Sequence, residues 1–131
     1  MRITGIDHLV LTVASIEAAV DFYSRVLGME VITFGQGRTA LRLGGQKINI
    51  HAARAPIAPH ADRPVPGSAD LCLVAVGGID AAAAHLAACG VPVELGPVDR
   101  AGARGPVRSL YVRDPDRNLI ELAFYDGAAE A

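Results

Sequence analysis

Four polar side chains in this sequence fall in stretches that otherwise read as apolar strands. His8 lies in the first predicted strand, His51 closes a later one, Asp70 opens the second half of the chain and Glu121 lies in the last strand. A carboxylate such as Glu121, set among apolar neighbours, costs free energy unless it is paired or bound to a cation. Two imidazoles and two carboxylates are good ligands for a borderline divalent cation such as Zn, Ni, Mn, Fe or Co. These residue types therefore predict a metal site.

Each of the four also has an ordinary structural explanation. A single His on a strand is often a hydrogen-bonded structural residue. Asp70 follows Pro-Gly-Ser-Ala and could bond turn amides, and Glu121 could pair with Arg113 or Arg117. What favours a shared site is that the four residues fall at positions related by an internal repeat.

The repeat is found by aligning the chain with itself. Residues 27–31 (LGMEV) align with residues 89–93 (CGVPV) at an offset of 62, which carries His8 onto Asp70. Later in the chain the offset is 70, so that residues 47–51 align with residues 117–121 and His51 falls on Glu121. If the two halves are related by pseudo-twofold symmetry, the four side chains can converge.

The elements that must position these side chains read as two copies of a βαβββ module, which is an α+β fold. In module one, residues 3–13 alternate as a strand, Ser15 offers a helix N-cap, Gly28 stops the helix, and three short strands follow at 29–34, 39–43 and 47–51. Residues 52–67 contain four prolines and predict a linker or a long surface loop.

Module two repeats the order. We predict a strand at 69–76, a helix at 80–89 that Asp80 could cap, a strand at 91–95, a loop over 96–108, and a final hairpin of 109–113 and 119–124. The Asp114-Pro115-Asp116-Arg117-Asn118 stretch between those last strands is turn chemistry. The tail from Asp126 is expected to fray. The expected organisation is one domain over 1–131, with modules at 3–51 and 68–125 joined by the 52–67 linker.

Composition excludes several classes of protein. At 131 residues, 51% of them hydrophobic and 20% charged, the chain should form one globular domain. A net charge of −2 gives no basic field for nucleic acid or an anionic membrane. Cys72 and Cys89 are too few for a disulfide framework and are expected to be buried free thiols. Without a signal or membrane-span pattern, we expect a cytoplasmic protein that acts on a small molecule.

Three stretches carry a family resemblance. Residues 6–11 (IDHLVL), 22–29 (FYSRVLGM) and 114–121 (DPDRNLIE) resemble the vicinal oxygen chelate superfamily. That superfamily includes glyoxalase I, extradiol dioxygenases, fosfomycin-resistance thiol transferases and bleomycin-binding proteins. The resemblance runs from residue 3 to residue 125. Residues 46–51 (QKINIH) and 66–73 (PGSADLCL) are most similar to glyoxalase domain-containing protein 5 and to virulence-associated relatives.

The resemblance implies that the paired modules curl into a U-shaped mixed sheet with helices outside and the metal within. It implies ligands from the first and last strands of each module, here His8, His51, Asp70 and Glu121. In glyoxalase I-like members, Glu is usual where His51 stands and His is frequent where Asp70 stands. Because Asp is shorter than His, Asp70 would reach the metal through a water or not at all. His8, His51 and Glu121 alone would form the two-His, one-carboxylate set of non-haem Fe(II) oxygenases.

The implied activity is that of a divalent-metal lyase like glyoxalase I. Such an enzyme acts on the hemithioacetal of an oxoaldehyde through a metal-stabilised enediolate, with glutathione or another thiol as cosubstrate and Glu121 as ligand and base. An extradiol-type dioxygenase, a thiol transferase and a non-enzymatic sequestering protein of the same fold are the alternatives. The resemblance also implies a homodimer, whose modules pair within one chain or between two.

Overall fold

The chain folds as two compact units, one over Met1–Ser68 and the other beginning at Ala69. The computed structural model describes residues 1–125, so the tail from Asp126 lies outside the described residues. Each unit has the element order strand, helix, three strands, and each forms one mixed four-stranded sheet. The predicted α+β class and the βαβββ repeat are therefore confirmed.

Module one contains β1 (His8–Val13), α1 (Ile16–Asp21) running on into a π-helical turn (Phe22–Val26), β2 (Glu30–Phe34), β3 (Arg38–Leu43) and β4 (Gln46–Ala52). The sheet order is β1-β4-β3-β2, with β1 parallel to β4 and the other pairs antiparallel. As predicted, the Ser15 hydroxyl caps α1 by accepting the Ala18 amide at 3.1 Å.

The first strand is shorter than its alternating sequence predicts. Residues 3–7 alternate but remain exposed and outside β1. The first pair of the parallel ladder is His8 with Lys47, because the partner strand begins at Gln46, directly after the Gly44–Gly45 turn. A strand cannot extend where its neighbour has already turned away.

The two faces of the module-one sheet differ in character. One face carries the core side chains, including the buried Leu11, Leu41 and Ile48, and lies on the side of α1. Since cross-strand partners point to the same side of a sheet, the polar residues that pair with one another across β1–β4 share the other face. Those residues are His8, Thr12, Glu30, Arg38, Arg42, Lys47, Asn49 and His51.

Module two contains β5 (Asp70–Val74), α2 (Ile79–Ala88), β6 (Leu95–Gly102), β7 (Gly105–Arg113) and β8 (Leu119–Tyr125), in the order β5-β8-β7-β6. The loop predicted over 96–108 is wrong, because these residues form the β6–β7 hairpin. Gly96 and Pro97 are tolerated because β6 is an edge strand with an irregular register between Leu95 and Val98. Gly105 and Pro106 begin β7 ahead of its pairing with β8, which starts at Val107. The strand predicted at 91–95 consequently begins only at its last residue.

The second helix begins one residue earlier than predicted and without the expected cap. Gly78 occupies the N-cap position at φ 91°, and no side chain caps the helix. Asp80 lies instead in the first turn, where a carboxylate interacts favourably with the helix dipole. Among residues 1–125, no helix has the length and apolar character needed to cross a bilayer.

Candidate functional site

His8 opens β1 at the polar face of module one. Its Nδ1 lies 2.7 Å from the Asp7 carboxylate, and its side chain remains 43% exposed. A carboxylate only accepts, so Nδ1 carries a proton, and in the neutral imidazole Nε2 then offers a lone pair. A carboxylate behind one imidazole nitrogen is the usual way to orient the other nitrogen toward a metal.

His51 lies near the end of β4 on the same face, and its imidazole is already in use. Arg38 Nη2 donates to His51 Nε2 at 3.2 Å, because a guanidinium can only donate. His51 is buried, and this desolvation lowers the pKa of its imidazole, with smaller contributions from the charges of Arg38 and His60. His51 is therefore held in its neutral form.

Glu121 lies in the middle of β8 with one carboxylate oxygen engaged. The hydroxyl of the fully buried Ser109 donates to Oε2 at 2.7 Å. Tyr111 is its direct partner on β7, and Cys72 is its partner on β5. Desolvation by neighbouring groups raises the pKa of the Cys72 thiol although the residue itself is exposed, and the Glu121 charge and hydrogen bond raise it further. Within residues 1–125, Glu121 pairs with neither Arg113 nor Arg117, which was the structural alternative for this carboxylate.

A hydrogen-bonded turn fixes where β8 begins and hence where Glu121 points. Asp114 Oδ1 accepts the amides of Asp116 and Asn118, each at 2.9 Å, and its Oδ2 accepts the Asn118 side-chain amide at 2.8 Å. The Asn118 Oδ1 accepts the Ala69 amide at 2.9 Å, which connects the turn to the start of β5. The turn predicted from the sequence is thus the device that sets β5 beside β8.

Asp70 is the first residue of β5 and is exposed. Its partner on β8 is Leu119, two residues before Glu121. The nearby Arg113 guanidinium is committed to Glu94, with contacts of 2.9 and 3.0 Å. Asp70 and Glu121 therefore share one face of module two at a diagonal spacing.

The two modules do not have the same register, which bears on the predicted ligand set. In module two, Glu121 pairs with Cys72, two residues beyond Asp70. In module one, His51 pairs with Thr12, four residues beyond His8. Four residues of strand span about 13 Å, too far for His8 and His51 of one module to reach the same ion.

Glu121 lies two residues beyond Leu119, the partner of Asp70. The corresponding residue of module one lies two beyond Lys47, the partner of His8, and is Asn49. By pairing, Asn49 rather than His51 is the counterpart of Glu121. Its Oδ1 is buried and has no hydrogen-bond partner. The sequence alignment missed this residue because its offset of 70 for the last strands misaligns them by two residues. A shift of two leaves every side chain on the same face of the sheet, so the alternating pattern does not reveal it.

A cavity of about 320 Å³ lies beside His51 in module one. Its walls are Val10, Thr12 and Ala52 from the sheet, together with three prolines of the segment predicted as a linker, Pro56, Pro59 and Pro64. His60 also lines it, and its Nδ1 donates to the Ala61 carbonyl at 2.8 Å. The proline-rich segment is therefore a cavity wall as well as a connection.

Within neither module, over the described residues 1–125, do three or more His, Cys, Asp or Glu side chains gather closely enough to hold one ion.

The prediction of buried thiols is wrong for Cys72, which is exposed on an edge strand, and Cys89 is half-buried. Arg38, Ser109 and Tyr111 were not predicted as site residues. Their contacts with His51 and Glu121 follow only from the strand pairing.

The chain matches known proteins over nearly its whole length. The sequence profile of the Glyoxalase/Bleomycin resistance protein/Dioxygenase superfamily matches residues 5–122. A glyoxalase domain-containing protein, RDO1, of Mycosarcoma maydis is 50% identical over 128 residues, which cover 98% of this chain and 72% of that protein. Virulence protein STM3117 of Salmonella typhimurium is 47% identical, over 95% of this chain and 87% of that protein.

Solved structures agree with the sequence matches. An integron cassette protein of V. cholerae has a TM-score of 0.94 and 47% identity, covering 96% of this chain and 98% of its own. A lactoylglutathione lyase from Agrobacterium tumefaciens and an antibiotic binding protein from a Streptomyces species each reach a TM-score of 0.71, at 23% and 24% identity, which shows a shared fold alone. This chain belongs to the Glyoxalase/Bleomycin resistance protein/Dioxygenase superfamily.

Proposed function

We propose that this protein is a divalent-metal lyase or isomerase of the glyoxalase I type, acting on a small substrate with two neighbouring oxygens. The substrate proposed from the sequence is the hemithioacetal of an oxoaldehyde, with glutathione or another thiol as cosubstrate. The observation that carries this proposal is the retention of His8 and Glu121 on the polar faces of their sheets, each oriented by a second polar group.

The donor chemistry of three of the four predicted ligands fits a divalent cation such as Zn, Ni, Mn, Fe or Co. His8 offers the Nε2 of its neutral imidazole, Glu121 has one oxygen outside its bond to Ser109, and Asp70 is an exposed carboxylate at a diagonal spacing from Glu121. His51 has weaker support as the fourth ligand, because Arg38 holds its Nε2 and its register sets it apart from His8. When bound, such a cation supplies Lewis acidity toward the two oxygens of the substrate.

Glu121 is the proposed general base, which moves a proton between two adjacent carbons of the substrate. The Ser109 hydroxyl holds Oε2, so Oε1 is the oxygen that would serve in turn as metal ligand and as base. Tyr111, directly across from Glu121, is positioned to border the same part of the substrate. The two carboxylate oxygens of Glu121 thus differ: Ser109 holds Oε2 in place, and Oε1 is the reactive oxygen.

The test is metal analysis of the purified protein, followed by removal and return of Zn, Ni, Mn, Fe and Co one at a time. Turnover is measured on methylglyoxal plus glutathione. We expect one or two metals to restore activity, and Glu121→Gln to keep the metal but lower turnover by about 10²–10⁴-fold, as loss of a general base does. Glu17→Gln is the matched control, because it makes the same carboxylate-to-amide change at an exposed position in α1. Its metal content and turnover should be unchanged.

Two results would contradict the proposal. Full turnover by Glu121→Gln with bound metal would remove the base assignment. A protein that binds none of the five metals would remove the lyase itself.

A second candidate is sequestration of a small organic molecule without chemistry. The observation that favours it is the cavity of about 320 Å³, which prolines wall on one side and which holds few polar groups. Binding of a planar organic ligand to metal-free protein with unchanged affinity in Glu121→Gln, without turnover by any metal, would identify this function. An extradiol dioxygenase, by contrast, requires oxygen uptake with a catechol and Fe(II), which the same preparations can test.

We also propose a homodimer, as the sequence analysis predicted. The supporting observation is exposed apolar area on the outer strands of the sheets, with Val10 on β1 47% exposed and Val74 on β5 58% exposed. Apolar residues on an edge strand favour association. Light scattering coupled to size exclusion should give twice the chain mass, and a monomer at micromolar concentration would contradict this expectation.

A further inference from the structure

The polar face of module one carries a concentration of positive charge that the proposed reaction does not use. Its strands hold Arg38, Arg42 and Lys47 against a single carboxylate, Glu30. Glu30 is paired with Arg42 at 3.3 Å, which leaves Arg38 and Lys47 without a carboxylate partner on this face. Two cations concentrated on one face are notable in a chain whose net charge is −2.

Both of these cations lie over one aromatic ring. The Arg38 guanidinium carbon is 5.0 Å from the centre of the Phe34 ring, and the Lys47 ammonium is 3.8 Å from it. Cation–π contacts of this kind hold the charges in place without neutralising them. The ring therefore positions two positive groups that remain able to bind an anion.

Arg38 also has an unused hydrogen-bond donor. Its Nε is buried and has no partner in the described part of the chain, residues 1–125, while Nη2 donates to the neutral His51. Nε and Nη2 lie on one edge of the guanidinium and form the planar pair of donors that a carboxylate accepts with its two oxygens. A buried donor without a partner costs about 1–3 kcal/mol, so it is a position where a ligand oxygen is favoured.

We propose that Arg38, assisted by Lys47, forms a carboxylate-binding subsite, and that the substrate is a small organic acid whose apolar part enters the adjacent proline-walled cavity. His51 lies at the junction, since it both contacts Arg38 and lines that cavity. The ligand carboxylate takes the Nε edge of Arg38. If it also takes Nη2, it releases the lone pair of His51 Nε2.

This inference rests on the proposed function for the reaction that follows, but not for the binding step. The ligand of the subsite carries a carboxylate, which belongs to a small organic acid or to a thiol cosubstrate such as glutathione. The two sources share one chemistry and are separated below by two probes. Arg38 is proposed as a specificity-determining residue.

Binding is measured on metal-stripped full-length protein by NMR, through the side-chain Nε–H signal of Arg38. The probes are butyrate, its uncharged analogue butyramide, and S-methylglutathione, which carries carboxylates but cannot react. We expect butyrate or S-methylglutathione to shift the Arg38 signal in a saturable way, and butyramide to leave it unchanged. Butyrate identifies a small acid, and S-methylglutathione alone identifies a thiol cosubstrate.

Two variants give the magnitude. Arg38→Gln should weaken binding of the responding carboxylate at least tenfold, since a charge-assisted pair of donors is lost. Arg38→Lys keeps the charge without the planar pair of donors, so its affinity for the carboxylate should fall between that of the unmodified protein and that of Arg38→Gln. Arg42→Gln, on the same strand and face, is the matched control and should stay within twofold of the unmodified protein.

Equal binding of butyrate and butyramide, no response to either carboxylate, or unchanged affinity in Arg38→Gln would each overturn the proposal. Because no metal is present, a failed lyase assay does not affect this result. If Arg38→Gln does not fold, the comparison of charged and uncharged probes on the unmodified protein, together with Arg38→Lys, still decides it.

Discussion

Asn118 is the residue whose replacement most directly tests how the turn before β8 supports module two. It is 1% exposed and makes two side-chain hydrogen bonds, one to each side of the turn. Its Nδ2 donates to the Asp114 carboxylate at 2.8 Å, and its Oδ1 accepts the Ala69 amide at 2.9 Å. Asn118→Ala removes both of them.

The expected loss follows from these two bonds. A hydrogen bond to a charged acceptor contributes about 1.5–3 kcal/mol, and a backbone N–H left without a partner costs about 1–3 kcal/mol. Asp114 keeps its two amide donors, and Ala69 is only half-buried, so water can recover part of the second term. We expect the free energy of unfolding to fall by about 3 kcal/mol, which lowers Tm by about 10 °C in a domain of this size.

Urea denaturation followed by circular dichroism measures this difference, with calorimetry for Tm. Asn49→Ala is the matched control: it makes the same chemical change at another buried strand asparagine, 4% exposed, whose Oδ1 has no partner to lose. It should cost less than about 1 kcal/mol in hydrogen bonding. The reasoning is refuted if Asn118→Ala costs less than 1 kcal/mol, or if both variants cost the same.

Three further predictions concern the backbone and pH. Arg117 has a φ of 68°, so Arg117→Gly should raise the free energy of unfolding by up to about 1 kcal/mol, and a loss in urea denaturation would contradict it. Gly96 has a φ of 122°, and a Cβ there would meet the Ser109 carbonyl, so Gly96→Ala should cost about 3 kcal/mol while Gly45→Ala, which meets nothing, should cost under 1 kcal/mol. Because the pKa of His51 is lowered in the folded state from about 6.5, the unfolded chain binds more protons below that pH. The metal-free protein should therefore lose stability as pH falls below about 6.5, and His51→Gln should reduce this loss in urea titrations at pH 7.5 and 5.5.

The fold could be predicted from the sequence because its signals are local and repeated. Ser15 caps α1 and Gly28 follows it with a φ of 72°, as the sequence pattern required. Hydrophobic periodicity then gave the order of elements in both modules. The exception was residues 96–108, where glycine and proline suggested a loop although the segment forms the hairpin that joins the edge strand β6 to β7. Edge position is a property of the sheet, so it cannot be read from the segment itself.

The candidate site was only partly accessible to the same reasoning. The sequence selected His8 and Glu121, and residue type alone gave them metal chemistry. Their partners depend on register: Ser109 reaches Glu121 across one strand pair, and Arg38 reaches His51 across another. A slip of two residues changes none of the alternation that a sequence pattern records, because the side-chain period of a strand is two.

The sequence by itself determined the family, the α+β class and the doubled module, since these follow from composition, turn residues and periodic apolar positions close together along the chain. Only the tertiary structure decided which polar groups face one another. It set Asn49 in place of His51 as the counterpart of Glu121, and it placed Arg38, with its unpartnered Nε, against His51, which lines a cavity. Those relations join residues on different strands, and their geometry is fixed by sheet pairing, which no single stretch of sequence encodes.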